Sequence, residues 1–251
     1  AAAQGDGTAK KKLDELPDLE RSAAEKGTAT QFLRQAQSLM YVKADPTEPL
    51  KKAIAIAETG TPEVRFVLGM MLAGQGYPGI PPDRPRGLAL VASAAKDNYT
   101  AALWTYGSGL MGGLPDVTAD PAAGTAMLAK AVAQADDSQI DPEIKYVIGA
   151  TLLKGGPGVT ADPAHGLKLI GAAADGDNPR ALLEFARALV VGAPNIPADG
   201  PRGIAYFKRA AALNLPGAAF NLGVIYERGL GGTKADPKEA LTWYQQSAKL
   251  G

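Results

Sequence analysis

The chain is expected to fold as an all-α protein of stacked helix pairs, and three observations lead there. An Asp or Asp-Pro helix-start signal recurs at Asp45, Asp83, Asp120, Asp162, Asp199 and Asp236; by subtraction the steps are 38, 37, 42, 37 and 37 residues. From the second signal onward, a Gly- or Pro-rich loop precedes each one: Gly74–Pro82, Gly112–Thr118, Gly155–Thr160, Gly192–Pro197 and Gly229–Thr233. Between these marks two kinds of helical apolar pattern alternate. A fixed period of roughly 20 to 50 residues signals a repeat architecture, in which each unit buries its apolar face only against its neighbours.

Residues 1–12 carry no periodic apolar pattern and read as a flexible leader, including Lys10-Lys11-Lys12. A single helical-repeat domain is expected over 13–251, with units at about 29–60, 61–98, 99–140, 141–178, 179–215 and 216–251. The first helix of a unit often opens on Pro, as at Pro62, Pro142, Pro179 and Pro216, where the missing N–H costs nothing. It then carries a bulky residue and an apolar-small pair: Phe66-Val67-Leu68-Gly69, Trp104-Thr105-Tyr106-Gly107, Tyr146-Val147-Ile148-Gly149, Leu183-Glu184-Phe185-Ala186 and Phe220-Asn221-Leu222-Gly223. The second helix starts at the Asp, whose carboxylate can accept from an otherwise unpaired backbone N–H. Four residues on stand Pro49, Gly87, Gly124, Gly166, Gly203 and Ala240. Glycine inside a helix costs about 1 kcal/mol relative to Ala, so four at one phase predict a close approach of two helices. Offsets of five, eight and twelve from the Asp are expected to share one apolar face.

Unit one departs from the pattern: it lacks the Leu-Gly pair, and its loop is about four residues shorter. Unit three carries about five extra residues near Ala135–Ile140, which should lengthen one turn.

Composition narrows the function. The 26 basic and 26 acidic side chains balance, and no long basic run is present, which argues against nucleic acid as the partner. Cysteine is absent, removing disulfide scaffolds, thiol catalysis and thiolate metal sites. No stretch approaches the ~20 apolar residues of a membrane span, so no membrane insertion is expected. The start Ala1-Ala2-Ala3-Gln4 looks like what remains after signal-peptide removal, so a periplasmic or otherwise extracytoplasmic location is expected, with a cytoplasmic one as the alternative.

Taken together, these motifs resemble the Sel-1-like repeat, a relative of the tetratricopeptide repeat with a longer loop between its helices. The last unit is the nearest match, from Gly217-Ala218-Ala219-Phe220 through Gly231-Gly232 and Asp236-Pro237 to Trp243-Tyr244, and units two to six match as a set. The resemblance implies a right-handed α-solenoid of about six helix-turn-helix repeats with a concave inner face. It also implies a non-catalytic protein–protein interaction module, an adaptor, regulator or assembly scaffold of the bacterial cell envelope. The alternative is a polysaccharide-binding or export scaffold; a cell-wall-related hydrolase ranks third.

Several residues have both a plain and a functional role open to them. His165 is the only histidine, so no zinc site or Ser-His centre is expected, no cofactor is called for, and a solvated helix position is its plain reading. The six aspartates read as caps, and the Gly-rich loops lack the Gly-Lys-Ser/Thr continuation of a phosphate loop. The ladder Phe66, Trp104, Tyr146, Leu183 and Phe220 is either core packing or a stacking surface. Partner contacts are expected at polar first-helix positions that packing does not require: Thr105, Ser108, Glu184, Arg187, Asn221, Glu227 and Arg228.

Overall fold

The computed structural model describes residues 28–193 and 196–250. The leader 1–12, its lysines, and residues 13–27 of the expected domain lie outside the described residues. Twelve α-helices and no β-strand occur among the described residues, an all-α solenoid-class arrangement of successive helix pairs. The chain divides into two compact units, one up to Met127 and one from Leu128.

In the first unit, α1 (Ala29–Tyr41) pairs with α2 (Thr47–Ala55), and a short 3₁₀ turn, Ala57–Thr59, closes the pair. Helix α3 (Pro62–Ala73) pairs with α4 (Arg84–Lys96), and α5 (Thr100–Ser108) runs on into a π-helical turn, Gly109–Gly113. Helix α6 (Pro121–Gln134) begins in this unit. The α1 start is closed by a reciprocal capping box between Thr28 and Gln31. Phe32, Leu33, Leu50, Leu68 and Leu72 form the core here.

In the second unit, α7 (Pro142–Lys154) pairs with α8 (Pro163–Asp175), α9 (Pro179–Val191) with α10 (Gly200–Ala212), and α11 (Pro216–Arg228) with α12 (Pro237–Leu250). Ile170, Leu182, Phe207 and Leu222 are among its most enclosed large side chains. Burying Phe207 alone contributes about 1.5–3 kcal/mol.

Five of the six aspartate signals are helix caps; Asp45 is not, because Pro46 stands at the N-cap of α2. Asp83, Asp120, Asp162 and Asp199 each accept from the N–H three residues on, at 3.2, 3.0, 3.0 and 3.2 Å. Asp236 takes two such donors, from Lys238 and Glu239. Asp45 bonds the N–H of Thr47 instead, and α2 starts two residues after it. The backbone N–H of Asp83, Asp120, Asp162, Asp199 and Asp236 donates back to a carbonyl of the preceding helix, at 2.7–3.0 Å. Each cap therefore pins the start of the second helix to the end of the first.

The glycine phase is a close approach, as expected. A Cβ on Gly87 would lie 2.4 Å from Ala73 N and 2.6 Å from the Gly69 carbonyl oxygen, and one on Gly166 would lie 2.6 Å from that of Gly149. Only hydrogen fits there. The loop between paired helices turns back on itself through an isolated antiparallel bridge at Tyr77–Ile80, Gly156–Val159 and Ala193–Ile196.

The apolar-face rule holds at offset eight and weakens elsewhere. Leu50 and Ile204 are buried at offset five, but Thr125 is exposed and Leu241 is 57% exposed. Offset five lies on the flank of the face, and among the described residues no later helix covers α12.

Candidate functional site

The expected contact residues fall into separate groups. In the first unit, Thr105 and Ser108 are half-buried on α5. In the second, Glu184 is half-buried and Arg187 exposed on α9. Burial, then the nearby Glu184 carboxylate, pushes the Tyr146 phenol above its ordinary range. On α11, the Asn221 amide donates to the Gly217 carbonyl of its own helix at 2.6 Å, and Glu227 and Arg228 are exposed.

The α11–α12 pair brings two sequence signals together. The Tyr244 hydroxyl donates to Glu227 at 3.0 Å, and the Tyr244 ring lies 5.7 Å from that of Phe220. Phe220 remains 54% exposed, so the group forms an aromatic ledge with a carboxylate on its rim. Partial burial first, then Glu227, raises the Tyr244 pKa.

The bulky ladder divides between its two readings. Trp104 is buried, and Phe66 is half-buried with its ring 5.5 Å from Tyr99. Leu183 and Tyr146 are half-buried, the latter with the Arg180 guanidinium 4.7 Å above its ring. Of the five, Phe220 alone presents a largely open face.

His165 is not a plainly solvated residue. Its side chain is 23% exposed, with Nε2 buried and 3.4 Å from Asp136 Oδ1. Asp136 belongs to the extra residues after α6 and also pairs with Lys168 at 3.0 Å. That lysine hydrogen bond, aided by His165, holds the Asp136 carboxyl below its usual range. The extra segment is thus tied onto α8 by charge.

A feature that the sequence pattern did not reveal is a cleft of about 530 Å³ in the second unit, between α8, the C-terminal half of α9 and the start of α10. Phe185 and Leu189 form its apolar floor; Lys168, Asp175, Asp199 and Arg202 bring charge to it. The Tyr206 hydroxyl donates to Asp175, and the Phe185 and Tyr206 rings meet edge to face at 5.3 Å. Burial, then the bond to Asp175, raises the Tyr206 pKa. A partial signal for this site existed: three residues after the Asp, Arg86, His165 and Arg202 are basic in three of the six repeats, while Glu48, Ala123 and Glu239 stand there in the others. Among the described residues no group of three or more His, Cys, Asp or Glu side chains could hold a metal, and no described helix is long and apolar enough to cross a membrane.

Comparison with known proteins agrees with this geometry. The Sel1 repeat model matches residues 62–99, 146–178, 180–215 and 216–251, more than half of the chain. Unit three, expected to match with its neighbours, falls outside these stretches; it carries the π-helical turn, an exposed Thr125 at offset five and the extra residues. No curated protein matches in sequence. Among solved structures, a Sel1 repeat protein from Oxalobacter formigenes is 23% identical with a TM-score of 0.65, covering 89% of this chain and 88% of that one. The c5321 protective antigen of uropathogenic Escherichia coli is 19% identical with a TM-score of 0.62; the match covers 92% of this chain but only 48% of the antigen. Immunity protein Pa5087 from Pseudomonas aeruginosa is 17% identical with a TM-score of 0.51, covering 88% and 81%. Sel1 repeats generally serve as protein-interaction modules. On the matched stretches, this chain belongs to the Sel1-repeat family.

Proposed function

We propose that the protein is a non-catalytic interaction module of the bacterial cell envelope, an adaptor or assembly scaffold that holds a peptide or partner protein against its first helices. The observation that carries this is the ledge of Phe220, Tyr244 and Glu227. An exposed aromatic with a polar rim is the composition of an interaction hot spot, where one ring supplies area and the rim supplies register. Glu184, Arg187, Asn221 and Arg228 extend the polar contact in the same unit, and Thr105 and Ser108 are the corresponding contacts of the first unit. Binding works by occupancy and release.

Affinity capture from the native host tests it. Phe220→Ala and Glu227→Gln should each lower recovery of the partner while far-ultraviolet circular dichroism stays unchanged, and Arg187→Gln should weaken the salt dependence of capture. Undiminished capture by all three folded variants would overturn the assignment. The envelope location is tested by osmotic-shock fractionation of the host; recovery with the cytoplasm would sink it.

A polysaccharide partner is the second reading, favoured by the same open Phe220 ring, which could lie against a sugar face. Quenching of Trp243 fluorescence by oligosaccharides would support it. Silence across a glycan panel would remove it.

A further inference from the structure

The cleft between α8 and α10 holds one charged group whose bonding capacity is unspent. Arg202 stands three residues after its capping Asp, as Arg86 does in the first unit. Arg86 is fully engaged: its Nε lies 3.0 Å and one terminal nitrogen 3.1 Å from the Glu58 carboxylate, and that nitrogen also donates to the Ile54 carbonyl. Glu58 stands thirteen residues after Asp45, and the residue thirteen after Asp162 is Asp175. Asp175 is the acid that Arg202 would take by repeat symmetry, yet Tyr206 already donates to it. In the first unit the residue matching Tyr206 is Leu90, which makes no such claim on Glu58.

The other charges at the cleft are also occupied. Lys168 pairs with Asp136, and Asp199 caps α10. Arg202 reaches only the Tyr206 hydroxyl, at 3.5 Å, and sits 5.7 Å from the centroids of the Phe185 and Tyr206 rings; it forms no ion pair among the described residues. A guanidinium carries a planar fork of donors that can grip a carboxylate by two parallel bonds, and among the described residues no carboxylate takes up that of Arg202. Beside it the cleft is lined by the half-buried Leu167 and Ile196, above the buried Phe185 and Leu189. Phe185 lies flush against the α8 backbone at Gly171, where an added Cβ would sit 2.9 Å from the ring. An extended peptide places residues i and i+2 on one face about 6.6 Å apart, so an acidic and an aliphatic side chain two apart can enter the cleft together.

We infer that this cleft is a second docking site, distinct from the Phe220 ledge, for an extended peptide segment carrying an acidic side chain two residues from a bulky aliphatic one. Arg202 takes the carboxylate, and the half-buried Leu167 and Ile196 that also line the cleft take the aliphatic side chain.

The test uses the full chain and fluorescein-labelled decapeptides, acetylated and amidated at the ends, with Leu and Glu two apart in an Ala/Ser/Gly background. Fluorescence polarisation should show binding that weakens about tenfold when the peptide Glu becomes Gln, and by a similar factor in Arg202→Gln. Arg34→Gln, at an exposed position on α1 of the first unit, should bind as the parent does. Amide chemical shifts should move at Gly171, Ala172 and Ile196 and stay still at Phe220 and Glu227. Equal binding of Glu and Gln peptides, parental affinity in Arg202→Gln, a footprint on the Phe220 ledge, or no binding by any peptide of the set would overturn the assignment. Partner capture lost through Phe220 but not through Arg202 would leave the ledge standing without the cleft.

Discussion

The α2–α4 junction in the first unit and the α8–α10 junction in the second are built to one plan and end with opposite chemistry. Both set an arginine at the third position of the incoming helix facing an acid at the end of the previous second helix. In the first, Arg86 and Glu58 close on each other, and the junction is structural. In the second, Tyr206 replaces Leu90, captures Asp175, and leaves Arg202 lying on aromatic rings at the edge of a cleft. One difference at a buried position, Leu90 against Tyr206, separates the two arginines. In a repeat protein, function can thus arise where a periodic contact is left unmade.

The comparison can be broken most severely through the core beneath it. Phe207, fully enclosed on α10, matches the smaller Val91 on α4. Phe207→Ala should cost about 3–5 kcal/mol in urea denaturation, more than Val91→Ala, because the larger deletion leaves the larger cavity. Next come the glycine contacts. Gly87→Ala should destabilise by about 1–3 kcal/mol, since the new methyl meets backbone of α3 on every side. Gly203→Ala should cost less, because the backbone atoms it meets, Ala186 O at 2.8 Å and Val190 N at 3.0 Å, stand farther off than the 2.4 and 2.6 Å contacts at Gly87.

Smaller effects sharpen the contrast in charge. Arg86→Gln should lower the stability of the first unit by about 0.2–1 kcal/mol, the range of a partly exposed ion pair, whereas Arg202→Gln should leave thermal melting unchanged. Tyr206→Leu, which copies the first unit, should release Asp175 to Arg202 and abolish peptide binding without unfolding; retained binding would contradict the account.

Lys168 holds the Asp136 carboxyl below its ordinary range. Because the folded pKa lies below the unfolded one, the pair's contribution is complete above the usual carboxylate value of ~3.9. It is then lost as pH falls through the lower folded value. Asp136→Asn should remove that part of the acid-limb slope in a pH series of melts, a small change because Asp136 is 47% exposed.

Periodicity made the helices, their caps, the loop positions and the close glycine contacts legible, because each rests on local rules or on a spacing that repeats. Asp162, Gly166 and Pro163 state their roles within five residues of one another. The fate of the bulky ladder was not legible in the same way. Trp104 and Phe220 occupy one register position, yet one is buried and the other open, since exposure there is set by what packs over the ring and not by the register itself. His165 likewise reads as solvated from its helix alone, and only the extra segment after α6 lays an acid against it.

By itself, then, the sequence determined an all-α chain of paired helices, the caps that start them and the family to which they belong. Tertiary structure alone decided which charges are spent and which stay available. The choice between Arg86 and Arg202 depends on an acid 27 or 28 positions away in sequence and on the side chain competing for it, distances that no local pattern spans. Burial and ion pairing are properties of neighbours in space, and here the neighbours come from the preceding repeat.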